Sequence, residues 1–268
     1  MSMALFQRVE WNEDPELNCW ELFHESAKTG RFDRSLSNEE VLAEMRNLYE
    51  CFPYRNKKRI QLPFSFSQID APFEEIILKR KSVSKCRPIE ISLQQLRTIL
   101  HFSYGETRNN ENDEYIPRPF RTIPSGGALY PLELYFFSNS TIDGLEAGLY
   151  HYSPVFNAVH LIRKGDLRDE ISNALVEFQS NLAFDLSVVF FITAVFQRSI
   201  FKYREKGYRF ALIEAGHLAQ NLNLTATALK LGVVNIGGYY DREIDRFLGI
   251  DGLRHSTIYM TGIAASDE

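Results

Sequence analysis

Arg121-Thr-Ile-Pro-Ser-Gly-Gly-Ala-Leu-Tyr-Pro-Leu-Glu-Leu-Tyr135 joins a loop poor in side chains directly to a strand of alternating apolar residues. Gly126 and Gly127 lack Cβ atoms, Pro124 fixes one backbone angle, and Ser125 adds a small hydroxyl that donates or accepts. Backbone amides in such a loop can approach a flat or anionic ligand closely. On these residues alone two readings stand, a ligand cradle or a plain turn before a strand.

Downstream, Leu132 to Ser138, Gly148 to Ser153 and Ala158 to Lys164 are β-prone runs separated by turn residues, which predicts an antiparallel meander. Leu186 to Phe196 is a near-continuous β-branched and aromatic run, the composition of a central strand buried on both faces. Val233 to Ile236 and Ile258 to Ala264 complete the strands. Helices are expected over Val41 to Tyr49, behind a capping box at Ser37-Asn-Glu-Glu40, and over Pro72 to Lys79. Leu93 to Tyr104, with Ser92 as N-cap, and Asp166 to Gln179 follow. Tyr208 to Leu231 is the clearest helix, with Gly232 stopping it and with Ala215, Gly216, Ala219 and Ala226 thinning one face for close backbone approach. Gly105 to Pro119 is polar and reads as a surface loop. With no repeat, low-complexity tract or linker, the chain is expected to be one α+β domain with a central, mostly antiparallel sheet flanked by helices.

The chain has 268 residues, 44% hydrophobic and 13% aromatic, enough to fill a sizeable core. Its net charge of −5 supplies no field toward nucleic acid or anionic membrane. The longest apolar stretch, Ala183 to Phe196, is broken by Asp185 and is shorter than the roughly 20 residues that span a bilayer. The first residues lack the apolar run of a signal peptide. Cys19, Cys51 and Cys86 are odd in number and widely spaced, which favours neither disulfides nor structural zinc. A cytoplasmic location with no metal is expected.

No GxGxxG, GxxxxGK[ST], GxSxG or HExxH occurs, so the dinucleotide fold, P-loop, nucleophile elbow and zinc protease motif lack support. What remains is two glycine loops (Gly126-Gly127 and Gly237-Gly238), the donor-rich Arg80-Lys-Ser-Val-Ser-Lys85, many aromatics, and Lys202-Tyr203 beyond the buried strand. These suit a flat redox cofactor with one phosphate, cradled by backbone amides and held by cation and hydroxyl. Flavin mononucleotide (FMN) is such a molecule. Arg80 to Lys85 also reads simply as a basic helix end.

Arg80-Lys-Ser82, Pro124-Ser-Gly-Gly-Ala-Leu-Tyr-Pro131, Phe201-Lys-Tyr-Arg-Glu-Lys-Gly-Tyr-Arg209, Glu214-Ala-Gly-His-Leu-Ala-Gln-Asn221 and Gly237-Gly238, in that order, resemble the nitroreductase superfamily. More narrowly they resemble its SagB-type, azoline-oxidase branch, as do Phe23-His-Glu-Ser-Ala-Lys28 and Arg59-Ile-Gln-Leu-Pro63. The resemblance implies an FMN-binding fold over residues 73–268, with 1–72 as a family extension packing on it, and a homodimer whose active sites are shared between subunits. It implies that Arg80, Lys81, Ser82 and Ser84 serve the phosphate and ribityl end. Pro124, Ser125, Gly126, Gly127 and Ala128 would approach the ring from the partner subunit, and Gly237 and Gly238 would lie near its reactive N5 edge.

The pattern is not complete. Ser84 stands where many nitroreductases carry a second arginine, and the basic tail that often supports the phosphate is missing after Ala264. Lys81, Lys85, Arg209 and Arg254 are the candidate replacements. Ala128 replaces an amide side chain, as in SagB-like members.

Azoline oxidases convert thiazoline or oxazoline rings in peptides to thiazole or oxazole. By resemblance, Lys202 and Tyr203 are the catalytic pair that assists proton removal while hydride passes to flavin N5. A lysine base requires burial or a neighbouring cation to lower its pKa; tyrosine could instead relay or orient. The expected function is therefore an FMN-dependent azoline dehydrogenase acting on a peptide or carrier-bound intermediate, beside a cyclodehydratase or synthetase complex. The alternatives are an NAD(P)H-dependent nitro- or quinone reductase and a scaffold subunit of a peptide-modifying complex.

Overall fold

The computed structural model describes residues 19–33, 36–110, 112–114 and 118–266. Among these, seven strands form one sheet in the order β1-β6-β5-β4-β7-β9-β8, every neighbouring pair antiparallel. They are β1 (Lys58–Gln61), β4 (Leu132–Ser138), β5 (Gly148–Ser153), β6 (Ala158–Lys164), β7 (Val188–Val195), β8 (Leu231–Ile236) and β9 (His255–Ala265). The expected meander is β4-β5-β6, and β7 lies between β4 and β9, buried as its composition requires.

Helices α1 (Cys19–Ser26), α2 (Asn38–Asn47), α3 (Phe73–Lys79), α4 (Leu93–Tyr104), α5 (Arg168–Ala174), α6 (Leu182–Asp185), α7 (Gln197–Tyr203), α8 (Glu205–Ala228) and α9 (Asp241–Leu248) flank the sheet. Two of them start at capping boxes, where Ser37 pairs with Glu40 and Ser92 with Gln95 through reciprocal side-chain to backbone hydrogen bonds.

Alternation along the strands feeds two cores. Leu132, Leu134 and Phe136 of β4 and Val188, Phe190 and Ile192 of β7 face Leu96 and Ile99 of α4 and Leu218 and Leu222 of α8. The residues between them, Tyr135, Phe137, Val189 and Phe191, face Ile171 of α5 and Ile244 and Phe247 of α9. Both faces of the sheet are thus covered, which explains why its middle strands read as continuous apolar runs.

Local readings change in five places. The long helix begins at Glu205, and the residue that turns the chain after it is Lys230, at φ +58°. Gly232 is a strand residue of β8, because a Cβ there would lie 2.2 Å from the Ala265 carbonyl oxygen and 2.7 Å from Val83. Asp166 to Gln179 is not one helix: α5 ends at Ala174, Val176 is extended, and a 3-10 turn follows at Glu177–Gln179. Val176 leaves the helix because its N–H donates to the Gly238 carbonyl at 2.9 Å. Within Gly105 to Pro119, Glu106–Arg108 forms strand β2 and pairs with β3 (Phe120–Arg121); Glu111 and Tyr115 to Pro117 lie outside the described residues. The close backbone crossing along α8 occurs at Gly207, against Ser199 and Ile200 of α7, while Gly216 faces open space.

Candidate active site

The glycine loop folds as a tight 3-10 turn over Gly126–Ala128, with Gly127 at φ +64° and Ala128 at φ +52°. The Ala128 N–H donates to the Ser125 carbonyl at 3.1 Å, and the Tyr130 N–H donates to Ser125 Oγ at 2.9 Å. Ser125 therefore holds the turn closed from within. Ala128 is buried, whereas Pro124 and Gly126 are exposed and present their backbone outward.

Beneath the turn lies the helix pair α7–α8. A Cβ on Gly127 would come within 2.8 Å of Tyr203 Oη and 2.9 Å of Lys202 Nζ, so both polar ends converge on the Gly127 backbone. The glycine is there because no side chain fits. Phe210 packs against the Gly126 side of the turn and edge-on against Tyr203, ring centroids 5.0 Å apart. Lys202 and Tyr203 end a short helix, α7, beyond β7, and the chain is reversed at Arg204, φ +51°. A cavity of about 250 Å³ opens beside them, walled by Ser26, Ala27, Lys28, Asp33 and Leu36 of the N-terminal segment. Leu36, Val41 and Met45 also pack with Leu129, Phe201 and Tyr203.

A buried ion network mounts this region on the sheet. Glu133, at the start of β4, accepts from Arg198 Nη2 and pairs with His151 Nε2, both at 2.6 Å, and accepts from the Phe52 N–H at 3.0 Å. Burial alone would raise the Glu133 carboxyl, but Arg198 and His151 outweigh it and hold it well below the usual carboxylate range. Cys51, Glu133 and His151 place possible ligand atoms within 4.8 Å of one another. Arg198 and the Phe52 amide already occupy the carboxylate, and burial pushes the Cys51 thiol up, so the donor chemistry is that of an internal ion pair. Residues so far apart in sequence gave no spacing signal.

The other predicted residues lie elsewhere. Ser82 and Val83 bridge to Val233 at the outer edge of β8, with the Val83 N–H donating to the Val233 carbonyl at 2.9 Å. Arg80 is half-buried; Lys81, Ser82 and Ser84 are exposed. Gly237 follows β8 on the same edge, exposed and with nothing near its missing Cβ. Gly238 is pinned instead: its N–H donates to Gln179 Oε1 at 3.1 Å, and a Cβ would meet that oxygen at 2.3 Å. Lys81 shares a cavity of about 380 Å³ with Lys79, Lys230 and Ser266, beside Thr227 at the C-terminal end of α8. Lys81 and Lys230 thus stand together at this edge; sequence reading missed Lys230 because it lies far away in sequence. Arg254 stands before β9 at the end opposite Ala265, so it is not brought to this edge.

The two groups are separated. Gly126 touches Phe210 and Lys81 lies by Thr227, seventeen residues further along α8, a distance of roughly 25 Å at helical rise. One chain brings the loop to Lys202-Tyr203 and, separately, Lys81–Val83 to Lys230 and Val233. It does not bring the two groups together.

The nitroreductase family profile matches residues 77–264. The chain belongs to the nitroreductase family. It is 36% identical over 177 residues to the Methanocaldococcus jannaschii protein MJ1384, itself assigned as a nitroreductase, covering 66% of this chain and 84% of the other. It is 31% identical over 135 residues to the Escherichia coli microcin B17-processing protein McbC, and 32% over 149 residues to the Rhizobium leguminosarum trifolitoxin-processing protein TfxB. These alignments span 49% of McbC and 39% of TfxB, so the chain matches about half or less of either relative. Among solved structures, a nitroreductase-type protein of Anabaena variabilis superposes with a TM-score of 0.70 at 25% identity, over 92% of this chain and 47% of that one. A chain of the Escherichia coli microcin synthetase McbBCD complex superposes with a TM-score of 0.60 at 21% identity, over 95% of both chains, and shares the fold. The nitroreductase-like fold read from the motif order is therefore present.

Proposed function

We propose that the protein is an FMN-dependent dehydrogenase that oxidises thiazoline or oxazoline rings to azoles in a peptide or carrier-bound intermediate. The observation that carries this reading is the convergence of Lys202 Nζ and Tyr203 Oη on the Gly127 backbone of the ring loop. The likeness to two peptide-processing proteins, McbC and TfxB, supports the substrate class.

The fit to FMN rests on the cradle itself. The Gly126-Gly127 turn exposes backbone where a Cβ could not stand, and Arg80, Lys81 and Ser82 supply cation and hydroxyl at an open strand edge. Arg80, Lys81, Ser82 and Ser84 would hold the phosphate and ribityl chain, and Gly237, with no neighbour at its Cβ position, would leave room beside N5. Pro124 to Ala128 of the second subunit would cover the ring. FMN held there would supply two-electron acceptor chemistry for the hydride that leaves the azoline, with oxygen or another acceptor as the final oxidant. Lys202 and Tyr203 act on the accompanying proton, which leaves the ring carbon; Tyr203 is fixed by Phe210, and Lys202 lies 5.3 Å from the Tyr203 ring centroid. The cavity beside them, walled by the N-terminal segment, would admit the peptide.

A purified protein with flavin absorption, one FMN per subunit and azoline turnover lost in Lys202→Ala but not its flavin is the expected result. Full turnover in both Lys202→Ala and Tyr203→Phe would contradict it. The likeness to MJ1384 favours a second reading, an NAD(P)H-dependent nitro- or quinone reductase, which predicts rapid flavin bleaching by NAD(P)H without an azoline.

A further inference from the structure

Glu214 is 2% exposed, on the α8 face that carries Phe210 one turn earlier. Its Oε1 has no hydrogen-bond partner, which a buried ionised carboxylate tolerates poorly. The groups around it come from three directions. Ser125 of the glycine turn is its neighbouring hydroxyl, and Arg121 of β3 is the nearby cation. Tyr104 of α4 and Tyr130 after the turn are the neighbouring phenols that feel its charge. Arg121 is already committed: its guanidinium carbon lies 4.4 Å and 4.9 Å from the Tyr104 and Tyr130 ring centroids, and its Nη2 donates to the Glu50 carbonyl at 2.8 Å. The Arg121 N–H donates to Tyr130 Oη at 2.9 Å, and the Tyr130 N–H to Ser125 Oγ, closing a connected set around the turn.

We propose that Glu214 is a positioning residue for the Lys202–Tyr203 pair: its buried carboxyl backs Ser125, and Ser125 holds the turn whose Gly127 backbone packs on both side-chain ends. This rests on the reading of Lys202 and Tyr203 as the proton-handling pair. Burial pushes the Glu214 carboxyl up to about 8, against the opposing pulls of Ser125 and Arg121, so the neutral form is held through neutral pH. In that form the proton sits on an otherwise unpartnered oxygen or is shared with Ser125. Loss of the proton leaves a charge with one oxygen unpaired away from water, and opening the turn to water relieves it. The turn is then lost from beneath Lys202 and Tyr203.

Glu214→Gln keeps the shape and cannot ionise, and Ser125→Ala cuts the link. Melting of the flavin-free protein, followed from about pH 5 to pH 9, provides a readout that needs neither cofactor nor substrate. Because the folded pKa is raised, the Glu214 contribution is full below the unfolded carboxylate pKa and is lost as pH rises through about 8. The wild type should lose melting temperature over this range, and Glu214→Gln should flatten that loss. In the flavin-loaded enzyme, the alkaline limb of kcat should be present in the wild type and absent in Glu214→Gln, while Ser125→Ala lowers kcat at every pH. A wild type whose melting is flat, or a Glu214→Gln protein that follows the wild-type pH curve, overturns the proposal. Absence of flavin from all variants would instead contradict the FMN reading and leave the melting test of Glu214 intact.

Discussion

The two ends of α8 are built on different plans. At the N-terminal end, the Ser125–Ala128 turn, Lys202, Tyr203 and Phe210 contact one another inside a single chain, with Glu214 buried one turn beyond Phe210 and the whole mounted on the buried Glu133–Arg198 pair. At the C-terminal end, Lys81 and Lys230 share a cavity beside Thr227, and Ser82 bridges to Val233 on the outer edge of β8. In the proposed function the first end would carry the chemistry and the second would hold the phosphate end of the flavin. Under the proposed function, a cofactor that needs both groups would draw the turn from one chain and the edge from a second, which is the division the substitutions below test.

Substitutions at the two ends should therefore fail differently. Lys202→Ala should lower azoline turnover by about 10²- to 10⁴-fold, the range for losing a general base, while flavin content stays near wild type. Flavin release by this variant would blur the division of labour. Glu133→Gln removes the charge facing Arg198 and should cost about 3–5 kcal/mol in denaturant unfolding, since a buried cation is left unpaired. The pH dependence has the opposite sign to that of Glu214. The Glu133 carboxyl is held low by Arg198 and His151, so its contribution is full above the unfolded carboxylate pKa and is lost as pH falls below it. Acid melting curves of the wild type should show this loss, and Glu133→Gln should show less of it.

Gly127→Ala forces a Cβ against Tyr203 Oη and Lys202 Nζ at a positive φ, for a stability cost of about 1–3 kcal/mol and a larger loss of turnover. Arg80→Ala combined with Ser82→Ala should weaken FMN binding by about tenfold or more, measured by equilibrium dialysis, with melting of the flavin-free protein little changed because both residues sit at an open edge. The smallest effect belongs to Gly237→Ala, where the new methyl meets nothing and stability should move by less than about 0.5 kcal/mol. A flavin-affinity loss in that variant would place the ligand against Gly237 directly.

The sheet was legible because its strands carry their own signal: the β4–β5–β6 meander and the doubly buried β7 are written in alternation and in continuous apolar runs. Gly232 misled because a glycine after an apolar helix looks like a stop, whereas here it is demanded by the Ala265 carbonyl across the sheet. Lys230 took the left-handed position instead, a residue with no local preference for it. The break at Val176 came from Gly238, sixty-two residues downstream, and no local propensity records such a bond. The candidate site followed the same rule. The glycine loop and Lys202-Tyr203 were each readable, but their contact through Gly127 was not. The Glu133–His151–Arg198 network and the unpaired Glu214 oxygen emerged only once distant segments were folded together.

The division of the site between two chains is tested most directly by mixing subunits. An Arg80→Ala/Ser82→Ala protein and a Gly127→Val protein should each bind little flavin alone. In a mixed dimer, the intact edge of one chain meets the intact turn of the other, so one FMN per dimer and recovered azoline turnover are predicted. Mixed dimers that recover neither flavin nor turnover would show that a single chain builds the whole site, contrary to the separation along α8.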